Sequence, residues 1–202
     1  MDKFETAKAY LKKHAKANFV PIIRPKSAKI LGELIKTALP KRILEIGTAT
    51  GFSALIMLEN APCATLTTIE KNETRLALAK NIFETCDISS RVTTILGDAN
   101  EEVKRLNGKF DFIFLDGPKS HYGKQFPYLI KHLEANGTLV CDNVLFMNEV
   151  LSGKYPAHKH RTAIFRMREF LQIVKDCPQI ESKLIEIEDG LLVCKKIGSN
   201  NE

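Results

Sequence analysis

What is missing from the chain narrows its function first. No uncharged apolar run approaches the length needed to cross a bilayer, and Met1-Asp2-Lys3-Phe4-Glu5 opens without the apolar core of a secretory signal. Both absences lead us to expect a cytoplasmic protein with no membrane partner. There is no CxxC pair. The five cysteines (Cys63, Cys86, Cys141, Cys177, Cys194) are scattered and odd in number, which argues for reduced thiols and against a disulfide framework. No HxxxH or HExxH spacing occurs, so a zinc hydrolase has no support. Ser120 lacks the glycine pattern of a nucleophile elbow, and the dinucleotide fingerprint GxGxxG is absent. Neither internal repeats nor low-complexity segments are present.

What remains is an ordinary globular composition: 202 residues, 44% hydrophobic and 27% charged. That length fits one domain spanning 1–202, with a helical cap over 1–39 and an α/β core over 41–197. The net charge of +6 is unevenly spread. Residues 1–41 hold ten Lys or Arg against three acids, and 154–168 hold Lys154, Lys159, Arg161, Arg166 and Arg168 with no acid. Such concentration suits a phosphate-rich partner, and equally suits basic solvated helix faces.

Hydrophobic spacing predicts an amphipathic helix from Asp2 to about Lys16 and a second from Ser27, as its cap, to Leu39, stopped by Pro40. Short apolar runs then alternate with helical stretches. Strands are expected at Arg42–Ile46, Leu66–Glu70, Arg91–Leu96, Phe110–Asp116 and Thr138–Cys141. Helices are expected at Phe52–Glu59, Glu73–Thr85, near Glu101–Leu106, around Gly123–Leu133 and at Thr162–Lys175. Alternation with short connections yields a parallel sheet covered by helices on both faces. Ile180–Ile187 and Leu191–Lys196, joined by Glu188-Asp189-Gly190, read as a hairpin that ends the sheet in an antiparallel edge.

In such a sheet, chemistry gathers at the carboxyl ends of the strands. Asp116 closes the run Phe112-Ile113-Phe114-Leu115, and Asp142-Asn143 closes Thr138-Leu139-Val140-Cys141. Two carboxylates and an amide oxygen form a hard donor set suited to Mg²⁺ or a similar divalent ion. Glu45-Ile46-Gly47-Thr48-Ala49-Thr50-Gly51 has the form of a ligand-binding turn, whose glycines let a ligand approach the backbone. Glu70 ends the second strand, where an acid can accept from both ribose hydroxyls of a nucleoside. Asp98 ends the third and can border the base.

These segments, with Gly97-Asp98-Ala99 and Phe114-Leu115-Asp116-Gly117-Pro118-Lys119, resemble class I S-adenosylmethionine-dependent methyltransferases. More narrowly, they resemble the metal-dependent O-methyltransferase family that includes the catechol and caffeoyl-coenzyme A enzymes. The resemblance implies a Rossmann-like, mostly parallel seven-stranded sheet with an antiparallel C-terminal hairpin. It implies S-adenosylmethionine held by Glu45, Gly47, Thr48, Ser53, Glu70, Gly97, Asp98, Ala99 and Asp116. A divalent cation, Mg²⁺ or similar, would sit on Asp116, Asp142 and Asn143. Lys119 would be the catalytic residue, either as the base or as a stabiliser of the acceptor anion.

Asp142-Asn143-Val144-Leu145-Phe146 and His160–Phe170 resemble one branch in particular, the bacterial tRNA 5-hydroxyuridine methyltransferases. That resemblance implies 5-methoxyuridine formation at wobble position 34, with the tRNA anticodon loop meeting Arg24, Lys154, Arg161, Arg166 and Arg168. The alternative is a catechol-type O-methyltransferase acting on small molecules. The N-terminal helix could also support a homodimer.

Overall fold

The computed structural model describes residues 2–146, 149–152, 155–156 and 158–198. Seven helices and seven strands alternate through most of these residues. Helices α1 (Lys3–Asn18) and α2 (Pro25–Ala38) precede β1 (Arg42–Ile46), α3 (Phe52–Asn60), β2 (Thr65–Glu70) and α4 (Glu73–Thr85). Then come β3 (Val92–Leu96), α5 (Ala99–Arg105), β4 (Phe110–Leu115), α6 (Tyr122–His132), β5 (Leu133–Asp142), α7 (Arg161–Lys175), β6 (Ile180–Ile185) and β7 (Leu191–Lys196). Among the described residues no helix is long and apolar enough to cross a membrane.

The strands form one sheet in the order β3-β2-β1-β4-β5-β7-β6. The pairs from β3 through β5 are parallel, and β7 is antiparallel to both β5 and β6. The expected hairpin is therefore present, but its second strand lies inside the sheet, and the edge strand β6 runs with the parallel majority. The order reverses at β1, between β2 and β4. The carboxyl ends of β1 and β4 therefore flank a crevice of the kind open α/β sheets use for ligands.

Strand β4 shows how the core divides. Side chains alternate across a pleated strand, so Phe112 and Phe114 pack with α1–α4 on one face while Ile113 and Leu115 pack with α5–α7 on the other. All four are fully buried, each contributing roughly 1.5–3 kcal/mol of transfer free energy. On the second face, Tyr122 and Phe126 both meet the ring of Phe170 edge-on, with centroids 5.4 and 5.8 Å apart. This fixes α6 against α7 and places Tyr122 directly beneath the carboxyl ends of β4 and β5.

Several boundaries differ from expectation for identifiable reasons. Helix α2 starts at Pro25, not Ser27, because proline suits a first helical turn that has no amide partner. Its N-terminal amides are capped from elsewhere in the chain, as described below. Strand β5 begins at Leu133, pairs with Phe110, and regains register only at Thr138 opposite Phe112. Residues 134–137 bulge between, with Asn136 left-handed at φ 60°. Cys86, Cys141 and Cys194 are buried, and burial pushes the Cys194 thiol up to about 12, so it stays an unreactive thiol.

Candidate active site

Gly47, immediately after β1, has φ +99°, and a Cβ there would lie 2.5 Å from the backbone oxygen of Asp116. Only glycine allows the ends of β1 and β4 to approach so closely, and the Asp116 amide donates to the Ile46 oxygen at 2.9 Å. The same turn is fastened to β2: the Gly47 amide donates to the Ile69 oxygen at 2.9 Å. Glu70, at the end of β2, accepts from the Ala49 amide at 2.9 Å and from the Asn72 amide at 2.8 Å. Each oxygen thus already has one backbone donor and keeps lone-pair capacity toward the cavity. The carboxylate is oriented before any ligand arrives.

A cavity of about 530 Å³ opens above these strand ends, a size typical of small-molecule sites. Gly47, Glu70, Gly97, Asp98, Ala99, Asp116, Lys119, Asp142, Asn143 and Arg24 all line it. The expected cofactor, metal and catalytic residues therefore largely converge. Glu45, Thr48 and Ser53 do not line it. Ser53 Oγ donates to Glu45 Oε1 at 2.5 Å and Thr68 Oγ1 donates to Glu45 Oε2 at 2.6 Å, with Thr48 Oγ1 2.5 Å from Thr68 Oγ1. These residues form a closed polar cluster under the turn. Burial pushes the Glu45 carboxyl up to about 7, opposed by its two hydroxyl donors.

At the opposite end of the cavity, Asp142 is almost wholly buried. Its Oδ1 accepts from the Asn143 amide at 2.7 Å, but its Oδ2 is buried with no hydrogen-bond partner. Burial and then the neighbouring Asp116 carboxylate raise its pKa, against the pull of Lys119. An orphaned carboxylate oxygen beside a second carboxylate and an amide side chain fits a divalent cation by donor chemistry. Asn143 sits at φ 57°, a left-handed conformation asparagine tolerates. Lys119 Nζ donates to Asp116 Oδ1 at 2.8 Å and to the Tyr122 hydroxyl at 3.0 Å. Tyr122 OH in turn lies 2.9 Å from the Leu115 oxygen and 3.0 Å from the Asp142 oxygen. One buried phenol thereby ties together the ends of β4 and β5 and the lysine, and burial holds the phenol pKa well above the usual tyrosine value.

Sequence reasoning missed Tyr122. It also missed a chain of amides at the other edge, where Gln125 Nε2 donates to Asn100 Oδ1 at 3.1 Å and Asn100 Nδ2 lies 2.9 Å from His121 Nδ1. Pro21, Ile22, Phe146 and Asp189 line the cavity too. No local pattern marks any of these; only tertiary placement does.

The expected RNA contacts are dispersed. Arg24 lines the cavity and pairs with Asp189 at 2.8 Å. Arg161 stacks over Tyr155, its centre 4.8 Å from the ring. Arg166 pairs with Glu169 of its own helix at 2.8 Å. Arg168 donates to the Val150 and Glu149 oxygens at 2.8 and 3.0 Å. Lys154 lies outside the described residues.

A parallel sheet with one reversed strand inserted beside its edge, carrying a glycine turn, an acid at the end of β2 and a carboxylate pair, is the architecture of a methyl-transferring α/β enzyme. The chain belongs to the O-methyltransferase family, whose sequence model matches residues 4–197. It is 27% identical over 176 residues to tapetum-specific methyltransferase 1 of Arabidopsis thaliana, covering 83% of this chain and 74% of that protein. A crystal structure of a proposed caffeoyl-CoA O-methyltransferase from Staphylococcus aureus matches with a TM-score of 0.86 at 30% identity, covering 94% of this chain and 91% of the other. A methyltransferase of Podospora anserina, crystallised with S-adenosylhomocysteine, shares the fold with a TM-score of 0.84 at 24% identity, covering 97% and 88% of the two chains.

Proposed function

We propose that this enzyme transfers the methyl group of S-adenosylmethionine to one oxygen of a small aromatic acceptor bearing two neighbouring hydroxyls, with a divalent cation such as Mg²⁺ held by Asp116, Asp142 and Asn143. The observation that carries this reading is the buried, unpartnered Oδ2 of Asp142 beside Asp116 in the cavity that Glu70 also lines. S-adenosylmethionine would supply an electrophilic methyl on sulfonium. A divalent cation would supply Lewis-acid polarisation, making a neighbouring hydroxyl easier to ionise.

The chain's own residues divide the remaining work. Glu70 accepts the ribose hydroxyls and orients the nucleoside, while Gly47 leaves room for the methionine portion and Asp98 and Ala99 border the adenine. Lys119, already donating to Asp116 and Tyr122, has a third ammonium hydrogen to offer an acceptor oxygen as negative charge develops there. This arrangement favours anion stabilisation by Lys119 over its acting as a base. Phe146, Pro21 and Ile22 give the acceptor half apolar walls that exclude water.

5-Hydroxyuridine in a tRNA anticodon loop offers a similar pair of adjacent oxygens. The small-molecule reading is preferred because Arg161, Arg166 and Arg168 are each engaged within the fold. The test is a methylation assay with catechol and, separately, with hydroxyuridine-containing tRNA, before and after chelation. Methyl transfer to catechol that stops with chelator and returns with Mg²⁺ is the expected result. Transfer that survives complete metal removal would overturn the metal assignment, and transfer to tRNA alone would overturn the acceptor.

A second expectation concerns the cofactor half. Glu70→Ala is expected to weaken S-adenosylhomocysteine binding by ~1–3 kcal/mol, the range for hydrogen bonds to a charged group. Calorimetry that found the affinity unchanged would remove Glu70 from the ribose.

A further inference from the structure

Arg24 is the N-cap residue of α2 and stands in the wall of the acceptor half of the cavity, with Asp142, Asn143 and Asp189. Its position is set from both ends. On the backbone side, Glu188, 161 and 162 residues further along, accepts from the Ser27 amide at 2.8 Å, the Ser27 hydroxyl at 3.0 Å and the Lys26 amide at 3.3 Å. The free amides of the first turn of α2 are thus capped by a side chain from the β6–β7 turn. On the side-chain side, Asp189 of the same turn takes one guanidinium nitrogen, Nη2, at 2.8 Å. That turn is itself fastened to the metal-ligand loop: the Leu145 amide donates to the Asp189 oxygen at 2.8 Å and the Val144 amide to the Gly190 oxygen at 3.2 Å. Gly190 has φ +81°, and a Cβ there would lie 2.4 Å from Leu145, so the contact is close enough to require glycine.

The guanidinium is anchored, yet only by one nitrogen. Among the described residues no hydrogen bond engages Nη1 or Nε, and the side chain is 52% exposed. Nη1 and Nε therefore keep N–H donors that a carboxylate can accept.

We propose that Arg24, preset by Asp189 and by the Glu188 cap, is a specificity determinant that binds a carboxylate carried by the aromatic acceptor, so that the preferred substrates are acidic vicinal diols. This inference rests on the metal-dependent O-methyltransferase reading above. Because one cavity of about 530 Å³ holds Arg24 together with Asp142 and Asn143, the carboxylate and the reacting hydroxyl must belong to the same small molecule.

The test compares 3,4-dihydroxybenzoate with 3,4-dihydroxybenzamide, which differ in charge at one substituent. Wild-type enzyme should favour the benzoate by roughly tenfold in kcat/KM, the scale of a charge-assisted hydrogen-bonded pair. Arg24→Met should bring that ratio near one, and Arg24→Lys, which keeps charge but loses the fork, should leave it in between. The same order should appear in calorimetric titrations of the two acceptors into protein holding S-adenosylhomocysteine and Mg²⁺. General damage to the fold lowers both acceptors together and leaves the ratio standing, so an unaltered ratio in Arg24→Met overturns the proposal. A wild-type ratio near one, with both compounds methylated, also overturns it while leaving the function above intact. If neither compound is bound or methylated, both readings fall.

Discussion

Asp142→Ala is expected to lower methyl transfer by about a thousandfold or more, equivalent to ~4 kcal/mol of activation free energy, while S-adenosylhomocysteine still binds. The separation follows from where the side chain sits. Asp142 ends β5, separated from Glu70 on β2 by strands β1 and β4, and the charged groups that act on it most are Asp116 and Lys119. Its free Oδ2 makes no bond to the turn that would hold the nucleoside. Removing the carboxylate would take away one of the two anionic donors proposed for the cation and leave the Gly47 turn as it was. The variant should also need far more Mg²⁺ to recover whatever activity remains. Calorimetry with S-adenosylhomocysteine and a radiolabelled methyl-transfer assay give the two halves of the result. Full turnover by the variant, or loss of cofactor affinity in step with activity, would move Asp142 out of the metal site.

Glu45→Gln should alter how stability depends on pH. The wild-type carboxyl is completely buried, and its pKa rises from the ordinary 4.5 to about 7. The folded protein therefore binds this proton more tightly than the unfolded chain. The contribution of Glu45 to stability declines as pH climbs from about 4.5 through about 7, by up to ~3 kcal/mol if the whole shift is expressed. Glutamine has the same shape and no proton to lose, so this part of the decline disappears. Any fixed cost of rearranging the Ser53 and Thr68 hydroxyls is the same at both ends of the range and cancels in the comparison. Urea unfolding at pH 5 and pH 8 should show the variant gaining on wild type at the higher pH. A difference that stays constant would mean that Glu45 titrates alike in the folded and unfolded chain.

Most of the fold was legible because its signals are local. Phe110 to Asp116 reads as a buried strand from composition alone, and the alternation with helical stretches leaves few topologies open. The position of the two acids expected at the metal end was legible for a related reason: an acid that closes an apolar run must emerge at the end of a strand, and Asp116 and Asp142 both line the cavity there. Glu45 misled because it belongs to the same stretch as Gly47, yet its side chain points under the turn to Ser53 and Thr68. Tyr122 could not be found from sequence, since its importance lies in reaching the backbone of two strands at once. Nor could the pairing of Glu188 with the start of α2, because nothing in Glu188-Asp189-Gly190 beyond a turn signal points to residues more than 160 positions earlier.

The place of β7 between β5 and β6 has a consequence for biosynthesis. While the chain is being made, β6 emerges before β7, the strand it pairs with, so it has no neighbour in the sheet until residues 191–196 follow. β7 also pairs with β5, and its preceding turn holds the loop after Asp142. A ribosome-bound chain lacking residues 191–196 can pair its parallel strands but cannot finish the wall of the cavity, so catalytic competence should arrive only once β7 has emerged.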